Sequence, residues 1–442
     1  MTADASQSGP SESDPRHPGV VPQRAVIVAA TSVAFDSRTH RLATTLTDRG
    51  HDVTVIARTA VGLADDESVR DGYRVRRVPA RALDGLPMPG AVRAGLRRLD
   101  GMAGRSFGRS PALVRGLARS LRVGLETRSQ IRSAVPLAPP AEILHAMAFL
   151  GLPVALAMSR VGDGAAVVYD ARDIYADAAN IARLPGPIRS VFERVERRWA
   201  RRANRVVTVN EPYADVLARR LGPPRPLVVM NGPLPWLRPA TAPRRFHEEL
   251  GLAETARVVL YHGGFSPGRG IEQLIEALPS LAPEVVLVLM GYGILADELR
   301  TRAADPVLAG RLRVLPAVPP SELIGWVASA DVAAMPIQPT TLNHRLTTPN
   351  KLFEAMAAGV PVVASDLPGM ATIVRDTGCG VLCEPTDPVA IAAAIQLVLA
   401  ASPDQLAAWR QHGIAAASGR YSWEAQVAGL IAEYGRLTGR PW

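Results

Sequence analysis

Residues 347–365 read TTPNKLFEAMAAGVPVVAS, and this stretch sets the fold. Pro349 and Asn350 mark a helix start, Lys351–Ala358 carries the helix, and the β-rich run Val360–Ala364 follows as a strand. Outward from here the alternation continues. Strands are predicted at Arg257–His262, Val285–Met290, Arg313–Leu315, Val332–Met335 and Gly380–Cys383. Helices are predicted at Ile271–Leu278, at Ser321–Ala330 and from Pro388 onward. Such alternation builds a parallel sheet with helices on both faces.

The same rhythm opens the chain. A strand at Ala25–Ala30, a helix ending near Arg49, the turn Gly50-His51-Asp52 and a strand at Val53–Ala57 make a βαβ start. Further strands are predicted at Arg74–Val78, Glu142–His145, Ala166–Asp170, Val206–Val209 and Leu227–Met230. Residues 232–253, rich in Pro and Arg, break the pattern and read as a linker. Residues 1–24, rich in Ser, Asp, Pro and Gly, read as a disordered lead-in and not as a signal peptide. The expected organisation is this lead-in, an α/β domain at 25–232, a second at 233–420, and a terminal helix at 421–442 returning to the first domain. The fold class is α/β, two Rossmann-like doubly wound domains facing a cleft at the carboxyl ends of their strands.

Lys351 stands out by composition. It is the only lysine among 50 basic side chains of the Lys and Arg type. It lies in the first turn of its helix, where the macrodipole disfavours a cation unless something negative is bound there. A phosphate resolves that conflict, since helix N-termini bind anions. Glu354 follows one turn later on the same face and suits the two hydroxyls of a ribose. The competing reading is an exposed Lys351–Glu354 ion pair of little energetic value.

A second constellation, YHGGFSPGRG at 261–270, follows a strand and precedes a helix. Its glycines permit close backbone approach to a ligand, and Arg269 offers a guanidinium fork for a diphosphate. On its own such a loop is also what a tight strand-to-helix turn requires.

With GHDVTVIA at 50–57, these stretches resemble retaining glycosyltransferases of the GT-B fold, glycosyltransferase family 4. The resemblance spans about residues 25–440 and is specific in the second domain, loose in the first. It implies a nucleoside-diphosphate sugar bound by the second domain and an acceptor bound mainly by the first. Carried over, Arg269 and Lys351 are catalytic through the donor diphosphate, and Glu354 binds the ribose. Gly263, Gly264, Gly291, Tyr292, Gly293, Asn343, His344, Asn350 and Leu352 complete the donor side. Asp36, Arg38, Arg41, Arg172 and Asp173 belong to the acceptor side, and His145 is a candidate base or positioning group. The competing reading of His145 is a satisfied core histidine.

Three positions depart from the family pattern. Gly263-Gly264 stands where many members have Gly-Arg. Leu346 occupies the place of the first of two glutamates, with Asn343, His344 or Arg345 as substitutes, although members with PNKLFE-type helices also lack it. His145-Ala146-Met147 replaces a His-x-His. The resemblance implies a hydroxyl acceptor, retained anomeric configuration and a role in polysaccharide or glycolipid synthesis at the cell surface. No Asp-x-Asp is present, so no essential metal and no cofactor are expected. The alternatives are a nucleotide-sugar epimerase and a non-catalytic partner subunit of the same fold.

The charge is +9 and unevenly spread. Arg81–Arg132 holds eleven Arg against three acids, and Arg183–Arg205 eight against two. These stretches suit an anionic membrane surface or a plain solvated face. Aromatics are too sparse in both for stacking on bases, so no nucleic-acid partner is expected. The only two cysteines, Cys379 and Cys383, lack the further ligands of a zinc site and read as reduced structural thiols. The apolar run Ala146–Met158 is too short to span a bilayer. A cytoplasmic location, at the inner face of the membrane through the basic stretch, is expected.

Overall fold

The computed structural model describes residues 21–442 apart from 35, 69–71, 82–111, 163, 179–180, 240, 242 and 309, and 112–120 by backbone alone. The expectations for the lead-in before residue 21 and for most of the basic stretch 81–132 therefore lie outside the described residues. The chain divides into two compact units that do not follow its linear order. The first comprises Met1–Asp170, Trp199–Arg205 and Ile431–Trp442; the second comprises Ala171–Arg198 and Val206–Leu430.

In the first unit, β1 (Arg24–Ala29), β2 (Asp52–Arg58), β3 (Asp66–Ser68), β4 (Arg74–Val78), β5 (Ile143–Met147) and β6 (Ala166–Ala171) are ordered β3-β4-β2-β1-β5-β6. All pairs are parallel except β3 with β4. Strand β1 is buried along its whole length after Arg24, as a central strand covered on both faces must be. It pairs in register with β2 (Ala25 with Val53) and with β5 (Ala25 with Ile143). The chain order reverses between β1 and β5, which is where open α/β sheets place ligands. Strand β3, missed in the sequence, is a charged and fully exposed edge.

In the second unit, β7 (Arg205–Thr208) pairs parallel with the two-residue β8 (Leu227–Val228). The main sheet comprises β9 (Arg257–Gly264), β10 (Val285–Tyr292), β11 (Leu312–Pro316), β12 (Val332–Met335), β13 (Val362–Ser365) and β14 (Gly380–Cys383). Its order is β11-β10-β9-β12-β13-β14, all parallel. This is the doubly wound dinucleotide-fold order, with the switch point between β9 and β12.

Alternation along the strands sends residues to two cores. Val258, Leu260, Val286, Val288 and Met290 enter one; Val259, Tyr261, Val285, Leu287 and Leu289 enter the other. The helix Asn350–Ala358 buries Leu352, Phe353, Ala355 and Met356 in the first of these cores. Gly359 closes it in the left-handed region (φ 63°), and Pro361 delays β13 to Val362, two residues later than expected. A short helix, Arg245–Leu250, sits inside the stretch read as linker because Phe246 is wholly buried against Trp326. Both cysteines are buried and unpaired, and burial, then Glu384 and Asp366, push the Cys383 thiol up to about 12. No single helix among the described residues is long and apolar enough to cross a membrane.

Candidate active site

The loops leaving β9 and β12 converge at the switch point of the second unit. Gly270 begins the helix Ile271–Ala277 in the left-handed region (φ 79°), and a Cβ there would lie 1.9 Å from the Pro336 carbonyl oxygen. Only glycine lets the β9 loop lie this close to the segment after β12. The turn Gly291-Tyr292-Gly293 wraps the same loop: Phe265 N–H donates to the Tyr292 carbonyl at 2.6 Å, and a Cβ at Gly293 would meet the Phe265 carbonyl at 2.3 Å. Gly263 passes next to Lys351, and Gly264 is exposed at the end of β9. The expected glycines thus shape one backbone cradle, with Tyr292 half exposed on its rim.

Lys351 is buried (8% exposed), and its Nζ lies 3.4 Å from the Tyr261 ring centroid. Cation–π contact is worth about 2 kcal/mol when desolvated, less than a buried ammonium costs. The Tyr261 hydroxyl donates to the Gly264 carbonyl at 3.0 Å, which fixes the ring. Burial, then the Arg269 guanidinium, push the Lys351 ammonium well below the ordinary lysine value, against the pull of Glu354. The same helix start has Pro349 as its cap, with no side chain covering the free N–H groups and no acid in its first turn. Asn350 is exposed at that turn, whereas Leu352 is wholly buried in the core beneath it.

Arg269 is half-buried and makes no ion pair among the described residues. Its field reaches Lys351, His344, Asp173, Tyr213 and Tyr261. Burial, then Arg269, push the His344 imidazole down to about 4, so this ring is neutral at pH 7. His344 Nδ1 lies 2.8 Å from Thr340 Oγ. Glu354 is buried, with Oε2 3.0 Å from His262 Nε2.

Asn343 is fully engaged by its own unit. Its amide accepts from Ile174 N–H at 2.9 Å and donates to Asp173 Oδ1 at 2.9 Å, and its carbonyl accepts from the Tyr213 hydroxyl at 2.8 Å. Asn210 donates to the Leu346 carbonyl and to Thr348 Oγ1. Arg172 and Asp173, expected on the acceptor side, therefore lie in the second unit beside the loop at residues 340–348. Burial raises Asp173 against the Asn343 hydrogen bond, Arg172 and Arg269. Asn210, Tyr213, Tyr261 and His262 carried no role in the sequence reading. Of these only Asn210 had a visible signal, as a helix cap ahead of Glu211-Pro212.

Two family models match the chain: "Glycosyl transferase 4-like domain" over residues 36–233 and "Glycosyl transferases group 1" over residues 256–401. The chain belongs to this glycosyltransferase family. The D-inositol 3-phosphate glycosyltransferase of Geodermatophilus obscurus is 35% identical over 249 residues, covering 52% of this chain and 52% of that protein. The match thus spans about half the length of the curated relatives. Sucrose-phosphate synthase of Thermosynechococcus elongatus has the same fold, with a TM-score of 0.71, 19% identity, and 94% and 99% of the two chains covered. HepE of Anabaena in complex with UDP-glucose gives 0.68, 18%, 93% and 98%.

In this family member the first-unit candidates are placed differently from one another. Asp36 caps the helix Ser37–Asp48 by accepting from Thr39 N–H, and Arg41 is half-buried on that helix. Arg38 is almost wholly buried and donates to Asp170 Oδ2 at 2.6 Å. His145 has no exposed surface: Nε2 lies 3.3 Å from Asp170 Oδ2, and Nδ1 lies 2.6 Å from the Tyr434 hydroxyl. Burial pushes the Asp170 carboxyl up, but Arg38 and His145 outweigh it and hold it below the usual range. Arg38, expected on the acceptor side, and His145, a candidate base or positioning group, are thus joined through Asp170 in a buried network, which matches the competing reading of His145 as a core histidine. Met147 is also buried.

Proposed function

We propose that this chain transfers a sugar from a nucleoside-diphosphate sugar to a hydroxyl acceptor, with retained anomeric configuration. The observation that carries the proposal is the convergence of Arg269 with the sole, buried lysine on an uncapped helix start. Burial and the Arg269 guanidinium depress the Lys351 ammonium there, and a diphosphate relieves that repulsion. The base and ribose then run toward Glu354 and the Gly291–Gly293 turn.

In the reaction the bond from the anomeric carbon to the diphosphate oxygen breaks, and its electron pair leaves with the phosphate. Arg269, Lys351 and the N–H groups at Lys351 meet that growing charge, which is the larger part of the catalysis expected here. The acceptor oxygen bonds to the same face of the anomeric carbon, and its proton passes to the departing phosphate. No protein base and no metal enter this route. The neutral His344 completes the donor side without adding a third cation. Asp36 and Arg41 serve the acceptor, a glycan or lipid-linked glycan, at an anionic membrane surface met through the basic stretch 81–132. The buried state of His145 weighs against the epimerase alternative, which needs an accessible acid or base.

A thermal-shift panel of uridine, guanosine and adenosine diphosphates and their sugars tests the proposal. A ligand at about 100 times its Kd stabilises the folded state by about 2.7 kcal/mol, several degrees in Tm. One nucleotide class is expected to give that shift, unchanged by EDTA. No shift with any of them overturns the proposal.

A further inference from the structure

His262 lies in β9, two residues before its end and next to Gly263, and is 2% exposed. Its Nε2 lies 3.0 Å from Glu354 Oε2. Both residues stand on rigid elements. Strand β9 pairs with β10 through His262, opposite Met290, and with β12 at Val259 and Leu260, so the backbone of His262 is held on the β10 side. The helix that carries Glu354 is anchored by its buried Leu352, Phe353, Ala355 and Met356.

A glutamate on its own samples several rotamers, and immobilising it for a ligand costs side-chain entropy. A hydrogen bond from a rigid ring removes that cost before any ligand arrives. It also sets the plane of the carboxylate, and with it the direction of Oε1, the oxygen that His262 does not hold. Gripping a vicinal diol needs that direction, because two hydroxyls at fixed spacing must meet one carboxylate. A single hydroxyl makes a weaker demand.

We infer that His262 is a positioning residue that orients Glu354 to grip both ribose hydroxyls, and so sets a preference for ribonucleotide over deoxyribonucleotide donors. This rests on the donor-site reading above. In this role His262 acts through its hydrogen bond to Glu354, with no contact to the phosphates or the transferred sugar required.

The test is calorimetric binding of uridine, guanosine and adenosine diphosphates and their 2′-deoxy forms to wild type, His262→Phe and His262→Asn. For the base that binds, wild type is expected to prefer the ribose form by about tenfold or more. His262→Phe keeps an aromatic ring and removes the donor. Its affinity for the ribose form falls about tenfold, while the deoxy form changes by less than about twofold. His262→Asn shifts the same way and decides the matter should the phenylalanine variant not fold. Glu354→Gln abolishes the preference, and adding His262→Asn to it changes nothing further, as expected for two residues acting as one unit. Equal weakening of both forms, or an unchanged preference in the histidine variants, overturns the inference and leaves the donor-site reading standing. A wild type that binds none of the diphosphates overturns both.

Discussion

Replacing Lys351 with Met should leave the ligand-free protein at least as stable as wild type while cutting nucleoside-diphosphate affinity about a hundredfold. The stability half follows from burial. The ammonium has a counter-charge in Glu354, but Glu354 is held by His262, and Arg269 opposes Lys351. Its folded value lies below the ordinary lysine value, so between the two the unfolded chain binds more protons and stability rises with pH. Below that window the penalty is present in full, and Met removes it with little change of volume. The affinity half follows from the phosphate. Truncating one partner of a desolvated, hydrogen-bonded charge pair costs about 2–5 kcal/mol, and about 2.7 kcal/mol is a factor of 100. Chemical denaturation and calorimetry on the same two proteins read both halves. A variant that is destabilised and binds normally contradicts the assignment.

Arg269→Ala should lower kcat by about a hundredfold to a thousandfold, the usual effect of deleting one donor aimed at developing charge. Ground-state affinity should fall less, because the charge on the leaving diphosphate is greatest in the transition state. The Lys351 ammonium should also recover part of the way toward the ordinary value, since burial remains but the one charged group depressing it is gone. Arg269→Lys restores charge without the fork and should recover only part of the rate. Steady-state kinetics with the donor identified by the binding panel checks this. An unchanged kcat in Arg269→Ala removes Arg269 from the chemistry.

The α/β class was legible because the central strands of a two-faced sheet are continuous apolar runs. Lys351 was legible because a lone lysine at a helix start conflicts with the dipole. What the sequence hid is long-range. The network of His145 is closed by Tyr434, 289 residues away, and nothing in a local window separates such a histidine from an exposed one. Asn343 was read as facing the donor, yet its partners Asp173, Ile174 and Tyr213 lie 130 or more residues upstream. His262 was visible at the start of the Gly-rich constellation but carried no role, because its partner Glu354 lies 92 residues away. The grouping of Ala171–Arg198 with the second unit depends on such contacts too. Strand β3 was missed because Asp-Glu-Ser has poor strand propensity and pairs only at an edge.

The single lysine makes phosphate contact at Lys351 directly measurable. Reductive amination with pyridoxal phosphate modifies primary amines, here Lys351 and the chain's amino terminus, and peptide mass spectrometry separates the two. Lys351 is expected to react at a lower pH than an ordinary lysine, and a nucleoside diphosphate is expected to protect it while the bare nucleoside does not. Labelling of Lys351 at the same rate with and without saturating diphosphate would contradict the placement of the phosphates on Lys351.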